Sequence, residues 1–342
     1  MKRNMALVTE ARHVSYEQFD IPELAPNQVL IKTSYASVCG SDLHLYYDVH
    51  PYVKAPCTIG HELSGRIIET GSDVKGLTKG DLVVPEPVLV CGACEYCLNG
   101  NYHMCTSISF QYRKGQAGFT DYFVVDERWA HKVPESVGEK GAALVEPFSV
   151  AVHGVKKAGN LLGKTVAIYG AGAIGAMAAL VCRLEGASKV WLIDRNNKKL
   201  EISSRLTGAE TINNFTSEPP SVINEATGGI GCDVVIECTG HEECAGEALD
   251  CVCKMGKVIQ IGISSGNFKS YPYSRILQKE ITLLGSQGYC FDFEMSLALL
   301  DSGKVDLSSF VTHEFPWKDI EKAFTLAADP QTDSMKIVLK YA

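Results

Sequence analysis

The stretch TVAIYGAGAIGAMAALVCRLEG, residues 165–186, decides the fold. It opens on an apolar run of strand length, too short for a helix. Glycines follow at Gly170, Gly172 and Gly175 in a G-x-G-x-x-G pattern, and AIGAMAALVCRLEG (173–186) has helical composition. A strand that turns into a helix through such a loop cradles a diphosphate. Gly170 makes the turn, Gly172 lets the phosphates approach the backbone, and Gly175 allows close helix packing. The helix N-terminus adds a favourable partial positive charge. Ile174 lies in the same loop and is grouped with it. Asp194 ends the next strand, KVWLIDR (189–195), 19 residues beyond Gly175. A carboxylate there accepts from a ribose 2'-hydroxyl and repels a 2'-phosphate. NAD is therefore expected over NADP, with the neighbouring Arg195 the one feature that would tolerate the extra phosphate.

Downstream, DVVIECTG (233–240) and GKVIQIGI (256–263) read as further strands. Strand and helix alternate, the pattern of a doubly wound parallel α/β sheet. The ends of these strands, at Thr239 and Gly262, belong at the crevice where ligands of such sheets sit. The segment IQIGI is compatible with an internal strand or a subunit-edge strand. The pattern breaks after Gly285. FEMSLALLDSG (293–303) then reads as a helix and MKIVLKYA (335–342) as a closing strand.

Upstream the texture differs. QVLIKTSYAS (28–37), SGRIIETG (64–71) and DLVVPE (81–86) are short strands punctuated by Gly, Pro, Asn and Asp, a β-rich region with long loops. Three parts are expected: residues 1–150 β-rich, residues 151–286 nucleotide-binding, and residues 287–342 returning to the first part. At 342 residues the chain exceeds the size at which one core stops growing, so more than one domain is expected.

Within the β-rich part, residues 91–105 read CGACEYCLNGNYHMC. Cys91, Cys94, Cys97 and Cys105 stand at C-x2-C-x2-C-x7-C, in a lobe spanning about residues 88–108. Four thiolates on one tight loop match tetrahedral zinc. Such a site is closed, so it is structural. A catalytic zinc instead needs three protein ligands and an open position. Cys39 in SVCGSDLHLYY and His61 in TIGHELSG are the first candidates, and Glu146 in GAALVEPFSVAV is a third. Glu146 stands among apolar residues, where an unpaired charge is costly. Glu62 is a fourth ligand or a partner of the ligands.

GHELSGRIIETG, with His61, Glu62, Gly65 and Gly71, resembles the zinc signature of the medium-chain dehydrogenase/reductase family. CGSD before it and the cysteine lobe after it occur in the same order, so the resemblance covers essentially the whole chain. It implies a GroES-like catalytic domain with an inserted Rossmann domain. It implies that Cys39, His61 and Glu146 hold the catalytic zinc, as in the sorbitol and polyol dehydrogenase branch, with Glu62 also able to enter the coordination sphere. Two zinc ions per chain and NAD are the expected cofactors. The implied reaction moves a hydride between a secondary alcohol, a polyol, sugar alcohol or cyclitol, and NAD (EC 1.1.1.-). Ser41 would take the alcohol proton and His44 would pass it toward solvent. His44, Tyr46 or Tyr47 would alternatively contact a substrate hydroxyl. His50, His103, His131, His153 and His313 are given no role, and Phe119 and Phe148 read as core packing in preference to pocket lining.

Composition sets the remaining bounds. A net charge of -8 without a basic run excludes nucleic-acid and anionic-membrane partners. The N-terminus lacks an apolar signal core, and no stretch has membrane-span length. The cytoplasm is expected, with a small-molecule alcohol or ketone as partner and a homo-oligomer, tetramer or dimer, as the assembly. Rival activities are dehydrogenation of threonine or another amino alcohol, of a simple alcohol, or of a sugar acid or sugar phosphate that Arg113 and Lys114 would pair with. A non-catalytic NAD-binding sensor or a zinc-free quinone reductase would be expected to lack the zinc ligands, and none is missing.

Overall fold

The computed structural model describes residues 1–50, 53–110, 118–264 and 266–342. The Arg113–Lys114 pair lies outside the described residues. The chain divides into two compact units, Met1–Pro147 with Cys290–Ala342, and Phe148–Tyr289. Among the described residues no helix is long and apolar enough to cross a membrane.

The first unit is built on a seven-stranded sheet. Strand Gln28–Ser37 lies at its centre. It pairs antiparallel with Glu62–Thr70, Tyr122–Asp126 and Lys336–Lys340 along different parts of its length. The last of these also pairs parallel with Val311–Pro316, which is how the C-terminal segment rejoins the first unit. Val29, Leu30, Ile31 and Ala36 of the central strand are buried, as expected of a strand covered on both faces. Gly65 is required here: a Cβ on it would lie 2.2 Å from the Lys32 carbonyl oxygen. A smaller three-stranded sheet is formed by His13–Asp20, Lys2–Glu10 and Cys57–Thr58.

The second unit holds a six-stranded, wholly parallel sheet. Its spatial order is Glu210–Asn213, Lys189–Asp194, Thr165–Tyr169, Cys232–Glu237, Val252–Gln260, Thr282–Gly285. The chain starts in the middle, winds to one edge, then returns and winds to the other. This is the doubly wound order, with its switch point between Thr165–Tyr169 and Cys232–Glu237. Ala167, Tyr169, Trp191, Ile193, Val235 and Val258 lie in one buried apolar cluster of this unit.

Two details differ from the sequence reading. The strand expected from residue 256 begins at Val252, and a register shift against Cys232–Glu237 accompanies a left-handed backbone at Met255 (φ 59°). The GK pair marks that irregularity rather than the strand's start. The IQIGI segment is internal up to Gln260, paired on both sides, and the sheet edge is Thr282–Gly285 instead.

Candidate active site

Cys39 caps the short helix Gly40–Tyr46, directly after the central strand, with an extended backbone (φ -104°, ψ 153°). Asp42, one turn into that helix, is 1 % exposed and collects three groups. Its Oδ2 accepts from the Cys39 amide at 3.1 Å and its Oδ1 from the Gly60 amide at 2.9 Å. The same Oδ1 lies 3.7 Å from His61 Nδ1. One carboxylate thus ties the Cys39 turn to the His61 turn. A histidine oriented through one ring nitrogen presents the other to a metal. Burial opposes the His61 imidazolium, but the charges of Cys39 and Asp42 outweigh it and raise its pKa well above the ordinary value. The pocket favours positive charge.

Donor atoms of Cys39, His61 and Glu62 all lie within 4.8 Å of one another. Thiolate, imidazole and carboxylate are each zinc donors, and this set suits a catalytic site. Glu146 does not join that three-residue group. It lies buried in the first turn of helix Val145–Lys156, and its charge acts on Lys336. Lys336 comes from the C-terminal strand. Its Nζ donates to Glu62 Oε2 at 2.5 Å and to the Val38 carbonyl at 2.9 Å, and its side chain is 5 % exposed. Burial disfavours the Lys336 ammonium, yet Glu62, Cys39 and Glu146 together raise its pKa. The Cys39 thiolate and the Glu62, Glu146 and Asp42 carboxylates set four negative charges against one ammonium, an excess that a divalent cation reduces, so the residues present fit zinc.

Ser41 and His44 stand three residues apart on helix Gly40–Tyr46, on one face, and both are half-buried. Tyr46 is 6 % exposed, its hydroxyl donates to the Arg12 carbonyl at 3.1 Å, and its ring packs on Phe324. The Tyr47 ring lies under the Arg12 guanidinium. Phe119 and Phe148 are fully buried. His131 pairs with Glu86 at 3.1 Å, His50 accepts from the Val53 amide, and His313 shares a hydrogen bond with Thr312.

The sulfurs of Cys91, Cys94, Cys97 and Cys105 also lie within 4.8 Å of one another. Amides point at them: Cys94 N to Cys91 Sγ at 3.3 Å, Cys91 N to Cys105 Sγ at 3.3 Å, and Ser107 N to Cys105 Sγ at 3.4 Å. Amide donors from Cys97 and Thr106 bring the Cys94 thiol down to about 6. Burial and the neighbouring Cys94 push the Cys97 thiol up to about 12, so the four sulfurs share their protons until a metal replaces them, and the set fits a four-coordinate zinc. Cys290 Sγ donates to the Gly100 carbonyl and the Phe291 amide to the Tyr102 hydroxyl, so the C-terminal return straps the lobe in place. All thirteen cysteines are free of disulfides.

In the second unit Gly170 adopts φ 98°, and a Cβ on Gly175 would lie 1.8 Å from the Gly170 carbonyl oxygen. Gly172 caps helix Ala173–Leu184 with open space around it, and Ile174 is half-buried in its first turn. Asp194 Oδ2 accepts from the Ala171 amide at 2.8 Å and Oδ1 from the Asn196 amide at 2.9 Å, so its carboxylate faces the glycine loop. Arg195 is exposed. Thr239 and Gly262 lie together: a Cβ on Gly262 would be 2.8 Å from the Thr239 nitrogen, and one on Gly170 would be 3.0 Å from Thr239 Cγ2.

Sequence reasoning missed three residues: Asp42, Lys336 and Glu237. Asp42 carried a local signal, an acid at the third position after a helix-capping cysteine. Lys336 carried none. Glu237 read only as the end of a strand.

Residues 25–135 match the model of the alcohol dehydrogenase GroES-like domain, and residues 173–302 match that of the zinc-binding dehydrogenase. A sorbitol dehydrogenase from Halalkalibacterium halodurans is 32 % identical over 91 % of this chain and 92 % of its own. An L-threonine 3-dehydrogenase from Bacillus velezensis is 33 % identical over 94 % of both. The crystal structure of an oxidoreductase/dehydrogenase of unknown specificity from Escherichia coli covers both chains completely, with a TM-score of 0.95 at 28 % identity. A three-donor group after the central strand, a four-thiolate cage and a glycine loop facing a strand-end aspartate agree with these matches, and the chain belongs to the zinc-dependent medium-chain alcohol dehydrogenase family.

Proposed function

We propose that the protein transfers a hydride between a secondary alcohol of the polyol, sugar-alcohol or cyclitol type and NAD. The convergence of Cys39, His61 and Glu62 within 4.8 Å carries this reading. Cys39 and His61 would hold the catalytic zinc with a glutamate, Glu146 or Glu62, as the third protein ligand, and Lys336 holds one oxygen of Glu62. The four cysteines of the 91–105 segment would hold the structural zinc. Zinc bound at the first site supplies Lewis acidity, which makes an alcohol proton acidic near neutral pH. NAD bound in the second unit supplies the hydride acceptor.

The chain's own residues do the rest. Ser41 accepts the proton from the substrate hydroxyl, and His44, one turn on, passes it outward. Asp42, whose Oδ1 lies 3.7 Å from His61 Nδ1, would orient the ring and leave Nε2 free for the metal. Gly170, Gly172, Ile174 and Gly175 take the diphosphate. Asp194 takes the adenosine ribose and disfavours a 2'-phosphate, while Arg195 stays exposed. Thr239 and Gly262 line the same crevice.

Residues 1–150 and 287–342 form the catalytic domain in this reading and residues 151–286 the NAD domain. The assembly is a homodimer or homotetramer. Its support is the exposed strand Thr282–Gly285 at the edge of the parallel sheet, which includes exposed Leu283. Thirteen unpaired cysteines support a reducing, cytoplasmic location.

The test is NAD reduction against polyols, inositols, aldonates, sugar phosphates, threonine and simple alcohols, with metal analysis of the same preparation. About two zinc ions per chain and turnover of a vicinal diol or polyol are expected. Oxidation of primary aliphatic alcohols alone would overturn the polyol assignment, and an active metal-free preparation would overturn the whole chemistry. Threonine is the second reading, favoured by the equal similarity to an L-threonine 3-dehydrogenase.

A further inference from the structure

Glu237 ends strand Cys232–Glu237 and is fully buried (0 % exposed). Its carboxylate has no ion-pair partner among the described residues. It is surrounded by donors instead. Oε1 accepts from the Thr239 amide at 2.7 Å and from the Thr239 hydroxyl. Oε2 accepts from the Gly240 amide at 2.9 Å and from Gln260 Nε2 at 2.5 Å. The remaining roles are committed too. Thr239 Oγ1 accepts from the His241 amide, so its proton goes to Glu237. Gln260 Nε2 gives a second hydrogen bond to the Gly262 carbonyl. The Glu237 main-chain carbonyl accepts from the Ile261 and Gly262 amides. One residue therefore fastens the loop after Cys232–Glu237 to the loop after Val252–Gln260. The packing leaves no slack: a Cβ on Gly262 would fall 2.2 Å from the Gly240 nitrogen.

The sheet order says which part of the ligand this knot serves. The glycine loop follows Thr165–Tyr169, and Asp194 ends the strand on one side of it. A dinucleotide whose diphosphate sits on that loop and whose adenosine ribose meets Asp194 must extend its other nucleoside over the opposite strand ends. Those are the loops at 237–240 and 260–262.

We propose that Glu237 is a positioning residue for the nicotinamide half of the cofactor. It holds the loops carrying Thr239 and Gly262 in register with the glycine loop through its donors. This rests on the NAD reading above. A glutamine at 237 would turn an NH2 group toward two donors on one side, whichever way it faced, and leave them unmatched.

The test compares binding of NADH and of ADP-ribose, which lacks the nicotinamide, to the zinc-loaded full chain. Glu237→Gln should weaken NADH by about tenfold and ADP-ribose by less than about twofold. Gln260→Leu, which removes one donor, should weaken NADH by about threefold with the same selectivity; it keeps the test open should the first variant not fold. Equal weakening of both ligands, or no weakening of NADH in a folded variant, overturns the proposal alone. Failure of the unaltered chain to bind NADH overturns the cofactor reading along with it.

Discussion

Lys336 Nζ and Glu62 Oε2 meet at 2.5 Å although 274 residues separate them in the sequence. Neither side chain reaches solvent to a useful extent, so each charge depends on the other and on the metal donors around them. Lys336→Met keeps the apolar stem and removes the ammonium. It should cost about 3 kcal/mol of stability in the first unit, because it strands a buried carboxylate. Chemical denaturation of the zinc-stripped protein checks this, and an unchanged midpoint would rule the pair out as a stabilising element.

Asp42 is the second point of leverage. Asp42→Asn leaves one acceptor oxygen where the carboxylate offered two, so the Cys39 amide, the Gly60 amide and His61 can no longer all be held. Catalytic-site zinc affinity should fall about 10–100-fold. Chelator competition should then strip one zinc per chain while the four-cysteine lobe keeps its own. Retention of both ions at wild-type chelator concentrations would contradict the role given to Asp42.

Cys97→Ser should open the four-thiolate cage. The lobe zinc is then lost to a chelator and the thermal midpoint drops, because bound metal contributes directly to the stability of such a loop. NADH affinity should stay unchanged, since Gly170, Gly175 and Asp194 belong to the other unit. Calorimetry and fluorescence titration of the same preparation separate the two effects.

Alkaline stability has a specific carrier in the first unit. Burial raises the Tyr16 phenol to about 12, with Glu321 and Asp319 adding to the rise, and its hydroxyl donates to the Lys318 carbonyl at 2.7 Å. The folded pKa lies above the unfolded value of 10.0, so the neutral phenol's contribution is complete below pH 10 and erodes from there toward about 12. Between about pH 9 and pH 11.5 the wild type should lose roughly 1 kcal/mol more stability than Tyr16→Phe, a figure reduced for the solvent at this half-exposed ring. Parallel loss in both proteins would remove Tyr16 from the account.

What could be read in the sequence was what is local. Gly170, Gly172 and Gly175 declare a turn, and Cys91 to Cys105 declare a cage, because all the partners lie within one short segment. The strands Gln28–Ser37 and Lys189–Asp194 were legible from apolar runs bounded by turn residues. The start of Val252–Gln260 was not, since a kink at Met255 falls inside the strand and Gly256 reads as a boundary. The hydrogen bond from the Tyr46 hydroxyl to the Arg12 carbonyl was not legible, because its partner lies 34 residues away in the sequence. Lys336 and Glu237 were invisible for a shared reason. An isolated charge in an apolar run gives no hint of its partner, and the donors that tame it come from other strands.

The C-terminal strand Lys336–Lys340 has a consequence for biosynthesis. It zips against Gln28–Ser37, yet the ribosome makes it only after the whole second unit. Until then the nascent first unit has an unpaired sheet edge and a Glu62 without its ammonium. Truncation before residue 336 should therefore leave that edge unpaired and yield an aggregation-prone chain with an incomplete metal pocket.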